Sequence, residues 1–274
     1  MTKVFSQLAR TAVTETQRDA CGFVPVGGLE MYCEIHGTGQ PLVLLHGAFS
    51  TIETSFGAML PALAASHRVI ALEFQGHGHT PDIDRALTYE QLADDVAALL
   101  SYFRLERTDV FGYSLGAGAT LQLALRHPDC VRNIIVASGS YRSEGLYPEI
   151  LAALESLTPE AMTGTVWHEA YLRVAPYPEG FRSITDKIFA LDRVEQAWSA
   201  SDMRSICAPA LVIVADGDVV RPEHAVELFR LLEDRSFIAP RQRTQLAILP
   251  GTNHENLVTR ADWLVTMVNA FLEV

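Results

Sequence analysis

Short apolar runs alternate with helix-length segments along most of this chain. The runs cover residues 41–45, 68–74, 109–113, 133–138, 210–215 and 245–249. Apolar runs of this kind, separated by helical segments, are typical of buried parallel strands that are joined by crossover helices. The pattern therefore predicts the α/β class, with a doubly wound and mostly parallel sheet.

A β-hairpin is predicted before this alternation begins. β-like runs flank Gly27 and Gly28, and adjacent glycines accept the positive φ angles that a tight hairpin turn requires. We expect the hairpin to form an antiparallel edge of the sheet. Residues 1–20 precede it and are interpreted as an N-terminal extension to which we assign no chemistry.

Capping residues mark the start of two predicted helices. Thr88 and Gln91 match a capping box ahead of apolar residues at helical spacing. Thr259 with Asp262 offers a similar start to the last helix. We expect each helix to cover the sheet with one apolar face.

The alternation stops between residues 141 and 206, where helical stretches and several prolines replace the buried-strand runs. When the hairpin is counted, this segment follows the sixth core strand. A segment of this length inside a compact chain is expected to pack on the main domain. We therefore predict one α/β core domain, residues 21–140 and 207–274, with a helical lid inserted at residues 141–206.

Composition and charge narrow the functional classes. The chain has 274 residues, of which 49% are hydrophobic, and a formal net charge of −12, so it can bury a large core and it repels polyanions. Its four cysteines are scattered, which favours reduced thiols. No apolar run approaches the roughly 18 residues that span a bilayer. We expect a cytoplasmic protein with no nucleic-acid or membrane partner, no metal and no cofactor; monomer and homodimer both stay open.

The central candidate for chemistry is the sequence G-Y-S-L-G at residues 112–116. A G-x-S-x-G string alone is weak evidence, but this one lies directly between a strand run and a helical run. A sharp strand-to-helix turn strains the serine and presents it at the helix N-terminus, while the flanking glycines let the backbone approach. We interpret Ser114 as a nucleophile and the N–H of Leu115 as an oxyanion donor; a glycine-lined structural turn is the alternative.

The segment L-H-G-A-F, residues 45–49, lies at the end of an earlier strand run and is the candidate source of a second oxyanion donor. The N–H of Ala48 is the candidate donor. His46 is expected to be a buried hydrogen-bonding residue rather than a proton carrier, and a simple strand-ending turn is the alternative for the whole segment.

A serine nucleophile needs a general base, and the base needs an orienting carboxylate. His254 follows the last strand run and Asp218 follows the run before it. This chain order of serine, aspartate and histidine is the one expected for a nucleophile on a strand-to-helix turn. Asp216 lies in the same loop as Asp218 and competes with it for the imidazole.

These segments together resemble the α/β-hydrolase superfamily, and within it the lid-bearing serine esterases, lactonases and cofactor-free perhydrolases. The resemblance covers nearly the whole chain beyond residue 21. It rests on L-H-G-A-F, F-Q-G-H-G-H-T, G-Y-S-L-G, D-G-D-V-V-R-P and P-G-T-N-H, in the family's order. The family commonly places its catalytic acid four residues before a proline, which implies Asp218, four before Pro222, rather than Asp216. One departure is Glu73, which begins E-F-Q-G-H-G where the family commonly has D-x-R-G-x-G.

The residues and the resemblance together predict a serine hydrolase that cleaves a carboxylic ester or lactone through an acyl-enzyme intermediate. The aromatic residues Phe49, Tyr113 and Trp167 are candidates for substrate contact, and they favour a small apolar or aromatic substrate. The same triad supports perhydrolysis or amide cleavage. A ligand sensor with slow turnover is an alternative of a different class.

Overall fold

The computed structural model describes residues 20–233 and 244–273. The interpretation of residues 1–20 as an extension lies outside the described residues, except for Ala20, which begins the first strand. All six apolar runs of the sequence form strands. The strands are β1 (Ala20–Val26), β2 (Leu29–His36), β3 (Gln40–Leu45), β4 (His67–Leu72), β5 (Thr108–Tyr113), β6 (Val131–Ala137), β7 (Ala210–Gly217) and β8 (Gln245–Asn253).

These strands form one eight-stranded sheet in the order β1-β2-β4-β3-β5-β6-β7-β8. β1 pairs antiparallel with β2, and β2 pairs antiparallel with β4, whereas the remaining pairs are parallel. The hairpin turn at Gly27 and Gly28 has φ angles of 58° and 82°. The predicted antiparallel edge and the mostly parallel sheet are both confirmed.

Helices cover both faces of this sheet. The described α-helices are α1 (Ile52–Phe56), α2 (Leu60–Ala64), α3 (Tyr89–Tyr102), α4 (Leu115–Arg126), α5 (Pro148–Ser156), α6 (Pro159–Met162), α7 (Val166–Val174), α8 (Phe181–Arg193), α9 (Ala200–Ser205), α10 (Pro222–Leu232) and α11 (Ala261–Leu272). Successive side chains of a strand point to opposite faces. Leu42 and Leu44 of β3 therefore join the apolar core that includes α11, while Val43 and Leu45 join the core that includes α3 and α4.

The two predicted helix starts differ in outcome. The Thr88 hydroxyl accepts a hydrogen bond of 3.1 Å from the Gln91 N–H and caps α3, as predicted. The capping box is not completed, because the Gln91 side chain donates to Asp95 instead. The prediction for Thr259 was wrong, because α11 begins after Arg260 without a side-chain cap. Thr259 instead ends a short 3₁₀ turn, and its hydroxyl donates to the carbonyl of Asn256.

Helices α5 to α9 lie between β6 and β7 in the chain. The buried side chains of α8, among them Phe181, Ile184 and Ile188, belong to the same apolar core as residues of β3 and α4. This helical insertion therefore packs directly on the sheet domain. Across the described residues, every helix is too short or too polar to cross a membrane.

Candidate active site

Ser114 occupies a strained position between β5 and α4. Its φ and ψ angles are 53° and −113°, and a positive φ at a residue with a side chain costs about 1–3 kcal/mol. A Cβ on Gly112 would lie 2.1 Å from the carbonyl oxygen of Gly116, and a Cβ on Gly116 would lie 2.0 Å from the carbonyl oxygen of Leu45. Both flanking positions therefore exclude any residue larger than glycine, which explains their place in the motif.

The structure brings the three predicted triad residues together. Oγ of Ser114 lies 2.9 Å from Nε2 of His254, and Nδ1 of His254 lies 2.7 Å from Oδ1 of Asp218. The three side chains come from the carboxyl ends of β5, β8 and β7, which share one edge of the parallel sheet. Because an ionised carboxylate only accepts, Nδ1 carries the proton and Nε2 is the acceptor that faces the serine hydroxyl.

The carboxylate of Asp218 is buried and has four hydrogen-bond partners. Oδ1 accepts from His254 and from the N–H of Val220, and Oδ2 accepts from the Ser138 hydroxyl at 2.5 Å and the Ala215 N–H at 3.1 Å. Burial acts to raise the pKa of Asp218, but the hydrogen bonds, above all that from His254, hold the pKa below its ordinary value. The carboxylate is thus kept ionised and oriented toward the imidazole.

Asp216, the competing carboxylate, has a different role. It accepts hydrogen bonds from the N–H groups of Gly251 (2.9 Å) and Thr252 (3.1 Å) in the turn within β8. These amide donors, led by that of Gly251, lower the pKa of Asp216. The geometry therefore places Asp218 on the imidazole and leaves Asp216 to hold the segment that carries His254.

Ser138 is a member of the site that sequence reasoning missed. It follows β6, has a φ of 52°, and donates its N–H to the carbonyl of Ile213 at 2.8 Å. A serine after a strand carries no motif, so the only signal available was its position at the carboxyl end of a central parallel strand.

The two candidate oxyanion donors belong to two segments that meet at the serine. Leu115 is the first residue of α4, and the loop that carries Ala48 is tied to that helix by a 3.1 Å hydrogen bond from the Gly116 N–H to the His46 carbonyl. A Cβ on Gly47 would lie 3.4 Å from Cβ of Ser114, so the loop closely approaches the nucleophile. Among the described residues, the N–H groups of Ala48 and Leu115 have no protein acceptor, which leaves both able to donate to a substrate oxygen.

His46 anchors this loop from within the core. Its imidazole is fully buried; Nδ1 donates to the carbonyl of Gly47 (2.7 Å) and Nε2 accepts from the N–H of Phe74 (3.0 Å). Burial lowers the pKa of His46 to about 3. Its ring is therefore neutral and structural, as expected from the sequence.

Glu73 links the same loop to the segment after β4. Its buried carboxylate accepts from the N–H of Ile52 at the start of α1 (3.2 Å) and from the N–H of His79 (2.6 Å). A Cβ on Gly78 would lie 2.2 Å from the carboxylate carbon of Glu73. The glutamate that departs from the family's aspartate is thus accommodated by a glycine and serves as a bridge between two loops at the site.

A small cavity of about 10 Å³ lies between the Ala48 loop, the segment after β4 and the helical insertion. Its lining residues are Phe49, Ser50, Thr51, Gly76, His77, Gly78, Tyr171, Phe181, Ile184 and Ile188. Phe49 has a φ of 57°, and its ring centroid lies 6.4 Å from that of Phe181 and 6.0 Å from that of Phe189. Ile184 and Ile188 of α8 were missed, because apolar residues at helical spacing look like ordinary core positions.

The other two predicted substrate-contact residues lie outside this lining. Tyr113 belongs to the core with Leu42 and Leu44, and its hydroxyl donates to the main-chain carbonyl of His254 at 2.5 Å. Trp167, on α7, packs against the core that contains α8. The structure thus places Phe49 at the cavity, whereas Tyr113 is hydrogen-bonded to the backbone of His254.

Comparison with known proteins assigns the chain to a family. A profile of the α/β hydrolase fold family matches residues 40–183, more than half of the chain. The chain therefore belongs to the α/β hydrolase fold family, which agrees with the sheet order and with the position of the strand-to-helix turn at Ser114.

Individual relatives are more distant. The chain is 34% identical over 114 residues to pyrrolizixenacetamide deacetylase of Xenorhabdus hominickii. This match covers 41% of this chain and 42% of the relative. It is 33% identical over 133 residues to pimeloyl-[acyl-carrier protein] methyl ester esterase of Aeromonas hydrophila, and this match covers 45% of this chain and 50% of the relative. The chain thus matches half or less of the length of these curated relatives. The solved meta-cleavage product hydrolase of Pseudomonas fluorescens IP01 shares the fold, with a TM-score of 0.76 and 19% identity over 93% of this chain and 98% of that chain.

Proposed function

We propose that this protein is a serine hydrolase that cleaves a carboxylic ester or lactone through an acyl-enzyme intermediate. The observation that carries the proposal is the continuous relay from Ser114 through His254 to Asp218, with spacings of 2.9 Å and 2.7 Å. The two relatives named above are a deacetylase and a methyl ester esterase. Both names describe the removal of an acyl group or the cleavage of an ester, which supports the same reaction type.

In the first half-reaction, Nε2 of His254 takes the proton of Ser114 as Oγ forms a bond to the carbonyl carbon. The carbonyl oxygen becomes negative and is held by the N–H groups of Leu115 and Ala48. Asp218 stabilises the imidazolium that forms. Collapse of the intermediate breaks the bond to the leaving alcohol oxygen, which receives the proton from His254.

In the second half-reaction, water takes the place of the alcohol. His254 removes a proton from the water as its oxygen attacks the acyl carbon, and it returns that proton to Oγ of Ser114 as the acyl bond breaks. The products are a carboxylic acid and the regenerated hydroxyl. Neither step requires a metal or a cofactor.

We propose that the helical insertion is a lid. The division of the chain is then the one expected from the sequence, with a core of residues 21–140 and 207–274 and a lid of residues 141–206. The contact of Phe49 with Phe181 and Phe189 supports this role and an apolar or aromatic small-molecule substrate. Function in the cytoplasm is part of the same proposal.

Ester, amide and peroxide-dependent assays separate the esterase from an amidase or perhydrolase with the same triad. Tight binding of a ligand with little turnover would point to a ligand sensor.

The decisive test is a panel of esters and lactones of varied chain length, assayed with wild type and Ser114→Ala. Loss of the nucleophile is expected to lower kcat by about 10⁵- to 10⁶-fold. Ser101→Ala, an exposed serine of α3, is the matched control and should keep wild-type rates. A fluorophosphonate should label wild type at Ser114, as located by peptide mass spectrometry. Retained turnover in Ser114→Ala, or a label on another serine, would overturn the proposal.

A further inference from the structure

One ring nitrogen of His77 is buried and has no hydrogen-bond partner within residues 20–233 and 244–273. The side chain is 2% exposed, and Nδ1 lies 2.9 Å from the carbonyl of Gln75, to which it donates. Nε2 is buried and has no hydrogen-bond partner among the described residues. Burial lowers the pKa of His77, so the ring is neutral and Nε2 carries a lone pair.

His77 is one of the residues that line the small cavity beside the Ala48 loop. The other polar side chains of the lining are already engaged: the Ser50 hydroxyl donates to the Ala48 carbonyl, the Thr51 hydroxyl accepts from the Thr54 N–H, and the Tyr171 hydroxyl donates to the Tyr177 carbonyl. Most of the other lining side chains are apolar. His77 is the lining residue that has a buried ring nitrogen without a hydrogen-bond partner among the described residues.

The size of the cavity limits what can satisfy this acceptor. A volume of about 10 Å³ accommodates one water molecule or one hydroxyl group and nothing larger. A carboxylate would meet a lone pair rather than a donor, and an ammonium group would be desolvated without a counter-charge. A hydroxyl satisfies both the volume and the direction of the hydrogen bond.

The cavity also lies next to the proposed reaction centre. Phe49 and Ser50 directly follow Ala48, the proposed oxyanion donor, and both line the cavity. The opposite wall is α8 of the helical insertion, through Phe181, Ile184 and Ile188. A substrate held between the insertion and the nucleophile would thus direct one of its ends toward His77.

We propose that His77 determines specificity by accepting a hydrogen bond from a hydroxyl group of the substrate, so that the preferred substrates are hydroxylated esters or lactones. This inference rests on the proposed hydrolase function and adds a polar requirement to the apolar pocket predicted from the aromatic residues. A site that pairs with a hydroxyl discriminates against the analogue that lacks it, because the buried acceptor is then left unpaired.

The test compares matched esters that differ at one end. Methyl esters of unsubstituted, ω-hydroxy and ω-methoxy acids of increasing chain length are assayed by pH-stat, and a second series carries the hydroxyl on the alcohol part. At one chain length, kcat/KM of wild type should favour the hydroxy ester over both the unsubstituted and the methoxy ester by about tenfold or more.

Variants then assign the preference to His77. In His77→Leu the hydroxy-to-unsubstituted ratio should fall to about one, whereas His77→Gln, which retains an acceptor near the same position, should keep part of the preference. His127→Gln, a partly exposed histidine outside the cavity, should keep the wild-type ratio. Using ratios removes any general loss of activity from the comparison.

Two outcomes would overturn the inference. Turnover of the unsubstituted esters without a hydroxy preference at any length means that His77 faces only a structural water, while the proposed function still stands. A preference that survives in His77→Leu assigns the recognition to another residue. If His77→Leu does not fold, the wild-type comparison of hydroxy with methoxy esters and the His77→Gln ratio decide. Absence of all ester and lactone hydrolysis instead contradicts the proposed function itself.

Discussion

The hydroxyl of Ser138 donates a 2.5 Å hydrogen bond to Oδ2 of Asp218, the carboxylate oxygen that does not face His254. The two residues are far apart in the chain and meet because β6 and β7 are parallel neighbours. The positive φ of Ser138 shows that the surrounding strands hold this residue in a strained conformation. The hydrogen bond fixes the rotation of the carboxylate and thereby the orientation of the imidazole.

Removing this hydroxyl should slow the reaction without weakening substrate binding. In Ser138→Ala the carboxylate loses one of its donors, so we expect kcat to fall by about tenfold while KM changes little. The NMR resonance of the His254 Nδ1 proton should shift, because the strength of its hydrogen bond to Asp218 changes. Ser138→Gly, which lacks the hydroxyl but tolerates the positive φ, should lose the same factor; wild-type kcat in the glycine variant would show that only the backbone matters.

The two neighbouring aspartates should separate activity from stability. Asp218→Asn removes the charge that stabilises the imidazolium and reverses the tautomer preference, so kcat should fall by about 10⁴-fold. Asp216→Asn should lower the melting temperature, because the carboxylate that binds the Gly251 and Thr252 amides is neutralised, and should lower kcat by less than about tenfold. Comparable losses of kcat in both variants would contradict the assignment of Asp218.

Tyr113→Phe tests whether this tyrosine binds substrate or positions the histidine. The hydroxyl donates to the carbonyl of His254, and its loss should loosen the loop that carries the imidazole. We expect kcat to fall by a few-fold, roughly the effect of one hydrogen bond, with KM almost unchanged. A raised KM with unchanged kcat would instead support the substrate contact predicted from the sequence.

The sequence revealed the parts of the site that are under local geometric constraint. Gly112 and Gly116 are forced by close backbone contacts around Ser114, so they appear as a motif, and His254 follows a recognisable strand. Ser138 and the two isoleucines of α8, Ile184 and Ile188, reach the site only through tertiary packing. Their residue types are ordinary for a strand end or a helix stripe, so no local pattern distinguishes them. Thr259 shows the opposite error: Thr259 and Asp262 have the spacing of a capping pair, but Thr259 ends a 3₁₀ turn and does not cap α11.

Gly116→Ala should damage both folding and catalysis. The new methyl group would lie 2.0 Å from the carbonyl oxygen of Leu45, so α4 must move away from the loop that carries Ala48 and the proposed oxyanion donors must separate. We expect a melting temperature lower by several degrees or more and a loss of kcat of about 100-fold, typical for one oxyanion donor. Gly22→Ala, where the added methyl group would meet nothing within 4 Å, is the control and should change neither quantity.

The stability of the protein should fall in mildly acidic solution because of His46. Its pKa is about 3 in the folded state against 6.5 in its ordinary environment, so below pH 6.5 the unfolded chain binds a proton that the folded chain does not. The contribution is complete above pH 6.5 and is lost by about 1.4 kcal/mol for each pH unit below it, until the folded-state pKa is reached. Urea unfolding at a series of pH values measures this slope. His46→Gln, which has no titratable group, should show a shallower slope by that amount, even if it is less stable at neutral pH. Equal slopes in the two proteins would mean that His46 is not held neutral by burial.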